Sequence, residues 1–119
     1  MTPTVLVIDD DPEFRKLARR LLVDNGLNVV GEAETVASAL AAASRLEPAA
    51  ILVDVELPDG DGITLTRELV QLPWQPRVIL TSIDGDITTT EEARAVGAQA
   101  FIGKADLPNA PLAQLFGDE

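Results

Sequence analysis

The chain has 119 residues, no cysteine, no histidine and a formal net charge of −11, from 20 acidic against 9 basic residues. This length buries a core without disulfide support, so residues 1–119 are expected to form a single domain. The composition excludes disulfides, thiolate metal sites and imidazole catalysis on this chain, and the acidic excess makes the domain a poor partner for a phosphate backbone. No apolar run reaches the roughly 18 residues of a membrane span. The start of the chain runs from Met1 through Val5 to Ile8 straight into acids, without the basic segment of a secretory signal, and a reducing, cytoplasmic setting is expected.

Val5 to Ile8 is an uninterrupted apolar run, as in a strand buried on both faces. Asp9-Asp10-Asp11 follows, and Pro12 suits the first turn of a helix. In that helix Phe14, Leu17, Ala18, Leu21 and Leu22 recur at helical spacing, while Arg15, Lys16, Arg19 and Arg20 are expected to face out. Gly26 is the expected stop. Asn28 to Gly31 predicts a second strand, and Thr35 caps a second helix carrying Val36, Ala39, Leu40 and Ala43 that ends before Pro48. Ala49 to Val53 predicts a third strand and Pro58-Asp59-Gly60-Asp61-Gly62 a turn. Ile63, Leu65, Leu69, Val70 and Leu72 mark a third helix stopped by Pro73, and Val78 to Leu80 a fourth strand. Thr88 and Thr89 each stand three residues before a glutamate (Glu91, Glu92), which is capping-box spacing for a fourth helix. Gln99 to Ile102 predicts the fifth strand, and Asn109 with Pro111 opens a short last helix through Leu112, Leu115 and Phe116.

Strands alternating with helices in this way predict an α/β doubly wound fold with a five-stranded parallel sheet. Ligands of such sheets bind beyond the carboxyl ends of the strands. The first strand ends in Asp9-Asp10-Asp11, the third in Asp54, the fourth in Thr81-Ser82 and the fifth in Lys104. Each has an ordinary reading taken alone: Asp11 before Pro12 as a helix N-cap, Asp54 as a turn residue, Thr81 and Ser82 as strand-end hydroxyls, Lys104 as surface charge. Taken together they bring carboxylates, hydroxyls and one ammonium to one edge. Converging carboxylates repel unless they take up protons or a cation. A hard divalent ion such as Mg²⁺ resolves this with one or two carboxylates, leaving another free as a nucleophile toward a phosphoryl group.

Four segments carry a family resemblance: Val5-Leu6-Val7-Ile8-Asp9-Asp10-Asp11-Pro12; Ile51-Leu52-Val53-Asp54-Val55-Glu56-Leu57-Pro58-Asp59-Gly60-Asp61-Gly62; Val78-Ile79-Leu80-Thr81-Ser82; and Gly97-Ala98-Gln99-Ala100-Phe101-Ile102-Gly103-Lys104. In these, over almost its whole length, the chain resembles the receiver domain of two-component response regulators. The resemblance implies the flavodoxin-like (βα)5 fold and a phosphoacceptor at Asp54. It implies an acidic pair at Asp9 and Asp10 around Mg²⁺, with Asp10 as a direct ligand beside Asp54 and the backbone carbonyl of Glu56 as a further one. Thr81 resembles the switch hydroxyl, Lys104 the lysine that pairs with the phosphoryl group, and Phe101 the aromatic switch residue, whose ordinary reading is a core position of the fifth strand. Glu56 and Ile83 stand two residues beyond Asp54 and Thr81, where the family controls approach of water to the phosphoryl group.

The sequence departs from the pattern in three places. Lys104 is followed by Ala105, where much of the family has a cis proline; the last helix is short, which puts dimerisation through it in doubt; and no output domain follows Phe116. The expected partners are a sensor histidine kinase and a downstream protein target, or an output domain on a separate or removed segment. The oligomeric state stays open. A turnover enzyme is not expected, only slow autodephosphorylation of the phosphoacceptor. Two rivals stand beside this reading. A phosphorylation-independent pseudo-receiver would normally have lost one of the acids, the hydroxyl or the lysine, all of which are present. An Asp-nucleophile phosphatase needs Asp-x-Asp-x-Thr, and Asp9-Asp10-Asp11-Pro12-Glu13 has glutamate where that motif needs threonine.

Overall fold

The computed structural model describes residues 2–83 and 90–117. In chain order the elements are β1 (Thr4–Ile8), α1 (Pro12–Asp24), β2 (Asn28–Ala33), α2 (Val36–Leu46), β3 (Ala50–Asp54), the two-residue strands β4 (Glu56–Leu57) and β5 (Gly60–Asp61), α3 (Gly62–Leu69), β6 (Arg77–Ser82), α4 (Thr90–Ala95), β7 (Ala100–Gly103), a 3₁₀ turn over Lys104–Asn109, and α5 (Leu112–Phe116). Five strands form one parallel sheet in the order β2-β1-β3-β6-β7. This is the predicted doubly wound α/β fold. The chain winds outward from β1 to β2 and then returns to β3 on the other side of β1, so the topological switch point lies between β1 and β3.

The period of two along each strand splits the core. Leu6, Ile8, Ile51, Val53, Val78 and Leu80 point to one face and pack with Ala39, Ala43, Leu65, Leu69 and Ala93 of α2, α3 and α4. Val5, Val7, Ala50, Leu52 and Ile79 point to the other and pack with Phe14, Ala18 and Leu22 of α1 and with Leu112 and Phe116 of α5. Burial on both faces is why these strands read as continuous apolar runs rather than alternating ones. Among the described residues no helix is long and apolar enough to cross a membrane.

Several boundaries differ from the sequence reading. The second strand runs on to Ala33 because its parallel register with β1 continues to the pair Ile8–Ala33. The third includes Asp54, which pairs with Thr81. The third helix ends at Leu69 rather than Leu72, in tight turns (Gln71 N to Glu68 O, Leu72 N to Leu69 O), because Leu72 precedes Pro73 and cannot stay comfortably helical. The last helix begins at Leu112, with Asn109 in the preceding 3₁₀ turn. Thr35 does cap α2, in a reciprocal box with Ser38, and Gly26 follows α1 at φ +83°, a conformation that favours glycine. The expected caps Thr88 and Thr89 lie outside the described residues.

Candidate functional site

Three parallel strands deliver acids and hydroxyls to one edge at the switch point. The Asp9 amide donates to Ala33 O (3.0 Å), as if β1 ran one residue further, which pulls the side chain under the surface until the residue is fully buried. Asp9 Oδ1 accepts from Asp11 N (2.9 Å). Asp10 stays exposed, and Asp11 caps α1 by accepting from Glu13 N (3.0 Å), as its ordinary reading had it. On β3, Asp54 is buried and its Oδ1 accepts from Glu56 N (3.2 Å). One carboxylate oxygen from each of Asp9, Asp10 and Asp54 falls within 4.8 Å of the other two.

Lys104, at the end of β7, reaches back over this cluster. Its Nζ lies 2.7 Å from Asp9 Oδ2, 3.5 Å from Asp54 Oδ2 and 4.3 Å from the centroid of the Phe14 ring. Thr81 faces Asp54 across the ladder and is fully buried. Phe101 stands apart from the acids, half-buried on β7 against the α2–α4 side of the core, in register with Leu80.

Three carboxylates against one ammonium leave the site two charges negative. Burial pushes the Asp54 carboxyl up to about 6, and the neighbouring Asp9 charge adds to the rise; the Glu56 amide and Lys104 pull the other way. Burial works to lower the Lys104 ammonium, but contact with Asp9 and then Asp54 outweighs it and holds it above the usual lysine value. Among the described residues two buried side-chain oxygens have no hydrogen-bond partner, Asp9 Oδ2 and Thr81 Oγ1, and both belong to this site. Lys104 meets Asp9 Oδ2 as an ion pair at 2.7 Å, while the buried Thr81 hydroxyl has no such partner. Such groups are costly to bury without a partner. An all-oxygen donor set with excess negative charge fits a hard divalent cation.

Other residues that shape the site read in the sequence only as turn, surface or core positions. Gly62 stands where α3 starts against the end of β3: a Cβ there would fall 2.1 Å from Asp54 O, so only glycine lets the helix approach. Arg15 was expected to face solvent, as an arginine on the charged stripe of α1. Instead its side chain is mostly covered, donates to Asp9 O (2.7 Å) and pairs with Glu32 of β2 (2.9 Å). Arg19 joins it on Glu32 at 2.8 Å. Phe14 was legible only as core. Asp59, expected as a turn residue, accepts from Val36 N (2.7 Å) and Ala37 N (3.1 Å), tying the β4–β5 hairpin to the start of α2.

Comparison with known proteins agrees with this architecture. The family model for the response regulator receiver domain matches residues 5–112. The chemotaxis protein CheY of Bacillus subtilis is 35% identical over 104 residues, covering 87% of each chain. A protein-glutamate methylesterase/protein-glutamine glutaminase of Myxococcus xanthus is 34% identical over 109 residues, but the match takes in 90% of this chain and 31% of that protein. Among solved structures, the signal receiver domain of the response regulator NarL from Mycobacterium tuberculosis superposes with a TM-score of 0.82 at 30% identity over 98% of both chains.

Proposed function

This chain belongs to the response regulator receiver domain family of two-component signal transduction, and on that premise we propose that it takes a phosphoryl group onto Asp54 from a partner histidine kinase and changes its surface for a downstream protein. The observation that carries the reading is the convergence of the Asp9, Asp10 and Asp54 carboxylates within 4.8 Å, with the Lys104 ammonium 2.7 and 3.5 Å from two of them. These 119 residues include no histidine, so none of them is the phosphohistidine donor.

A carboxylate oxygen of Asp54 attacks phosphorus; the O–P bond forms as the N–P bond breaks, and the departing imidazole keeps the bond pair. At neutral pH, above its raised pKa of about 6, Asp54 is mainly ionised and ready to attack. Asp9, Asp10, Asp54 and the backbone carbonyl of Glu56 would hold Mg²⁺, which supplies neutralisation for the phosphoryl oxygens. Lys104 offers its ammonium to one of those oxygens. The Thr81 hydroxyl, buried without a partner opposite Asp54, offers a donor to another. Thr81 is the proposed switch hydroxyl that moves toward the phosphoryl group, and Phe101 on β7 is the proposed aromatic switch. Such a domain works in the cytoplasm, without nucleic-acid contact of its own, and its output is a separate target or domain.

Incubation with acetyl phosphate and Mg²⁺ tests this by intact mass. The wild type gains one acid-labile phosphoryl group, and Asp54→Asn, nearly isosteric but not nucleophilic, gains none. A phosphoryl adduct that survives in folded Asp54→Asn overturns the assignment.

A further inference from the structure

We propose that Phe14 is a positioning residue for Lys104: its ring face holds the ammonium over the acid cluster at the height from which it meets both Asp9 and Asp54. The functional consequence rests on the phosphoacceptor reading above; the contact itself does not.

Lysine is a point charge on a flexible four-carbon stem, and nothing in its covalent structure fixes where the charge sits. Lys104 begins a 3₁₀ turn that has no side-chain cap. Its ammonium has anions on one side, at 2.7 Å (Asp9 Oδ2) and 3.5 Å (Asp54 Oδ2), and the Phe14 ring on another at 4.3 Å from the centroid. Left to the anions alone, the charge is free to swing outward to water, as lysine side chains commonly do. The negative face of an aromatic ring attracts a cation without demanding one direction. It therefore keeps the ammonium inside the site while leaving it free to pivot from the carboxylates to an arriving phosphoryl oxygen.

The ring is well placed for this. Phe14 lies in the first turn of α1, only 7% exposed, and belongs to the core cluster that includes Val5, Val7, Ala18 and Leu107 between α1 and the sheet. The Lys104 side chain is itself only 12% exposed, so the interaction is largely desolvated, where it is strongest. Helical spacing at position 14 requires only an apolar residue. A leucine would serve the core, but it would not hold a cation.

The test combines Phe14→Leu, Phe14→Trp and a graded series of fluorinated phenylalanines placed at position 14 of the full chain, which weaken the ring face at nearly constant shape. Phe14→Leu is expected to keep a cooperative melt, to lose the upfield ring-current shift of the Lys104 side-chain methylene protons and their proximity to Asp9 in NMR spectra, and to slow phosphorylation by acetyl phosphate about tenfold. Phe14→Trp restores both signals and rate, and the fluorinated series slows the reaction in step with the loss of cation affinity. A merely structural role predicts a flat series. Unchanged Lys104 signals in Phe14→Leu, or a rate indifferent to fluorination in a protein that does accept phosphate, overturns the proposal. If the wild type accepts no phosphate, the functional reading fails, and the Lys104 signals alone decide whether the ring holds the ammonium.

Discussion

The two edges of the sheet are built on opposite terms. At the amino edge, polar groups close on one another: Asn28 N on Pro3 O, Arg77 N on Ala49 O and Ala49 N on Thr4 Oγ1, each at 2.9 Å. Trp74 Nε1 donates to Pro48 O (2.9 Å) and Arg77 Nη1 to Gln114 O (3.1 Å). At the carboxyl edge three carboxylates crowd together, Asp54 is held well above its ordinary pKa, and the buried Thr81 hydroxyl has no hydrogen-bond partner. A hollow of about 250 Å³ lies at the amino edge, lined by Pro3, Leu27 and Gly117 among others, and among the described residues its lining carries no charged side chain. Concavity is thus a poorer guide to chemistry here than unsatisfied polarity. The amino edge is complete as a folded structure. The carboxyl edge carries the excess negative charge that suits the cation and phosphoryl group proposed above.

If that contrast is right, Mg²⁺ should raise stability through the carboxyl edge by the largest margin, about 2.7 kcal/mol at a hundredfold excess over its Kd. Asp10→Ala, at an exposed position that the fold does not need, should abolish the gain, as thermal melts with and without Mg²⁺ would register. A Mg²⁺ response that persists in Asp10→Ala breaks the contrast.

The next effect concerns Asp54 in metal-free buffer. Its folded pKa of about 6 stands above the ordinary 3.8, so over that interval the native state holds a proton that the unfolded state has released. Stability is therefore lost as pH rises from about 4 to about 6, and the ionised group costs the metal-free fold on the order of 2 kcal/mol at neutral pH. Asp54→Asn should be more stable than wild type by that order at pH 7, with the difference gone near pH 4. Denaturant titrations at the two pH values measure it, and a constant difference between them contradicts the account. At the amino edge, Trp74→Phe should cost about 1 kcal/mol through the lost bond to Pro48 while leaving phosphorylation untouched. The smallest effect is kinetic. Ile83 is 81% exposed two residues past Thr81, so Ile83→Asn leaves the core intact. Its apolar bulk is expected to crowd the in-line approach of water, and the asparagine should shorten the phospho-Asp54 lifetime a few fold. Equal decay of acid-labile phosphate in the two proteins removes Ile83 from that role.

The fold was legible because doubly buried strands leave unbroken apolar runs: Val5 to Ile8, Ile51 to Val53 and Val78 to Leu80 announce themselves without neighbours. Parallel pairing then predicts that Asp9, Asp54, Thr81 and Lys104 meet at one edge, and the geometry brings Asp9, Asp54 and Lys104 into contact, with Thr81 opposite Asp54. What stayed hidden depends on three-dimensional proximity that no local pattern encodes. Arg15 shares a charged stripe with Lys16 and Arg19, and nothing along the helix distinguishes the arginine that reaches Asp9 O from the lysine that stays in solvent. Phe14 satisfies the core pattern so well that its ring face toward Lys104 leaves no trace. Gly62 reads as one turn glycine among several, although the close approach of α3 to Asp54 O is what requires it. Asp59 has the composition of a turn, and only its long-range bonds to Val36 and Ala37 make it a helix cap.

The central claim is that the carboxyl edge exists to be completed by a cation and a phosphoryl group on Asp54. The most direct measurement is to phosphorylate the wild type with acetyl phosphate and Mg²⁺, reduce the acyl phosphate with borohydride and sequence the peptides by tandem mass spectrometry. The account predicts homoserine at position 54 and nowhere else, and none when Mg²⁺ is chelated before the donor is added. Homoserine at position 9, 10 or 56 instead, or labelling at 54 that is indifferent to chelation, would contradict it.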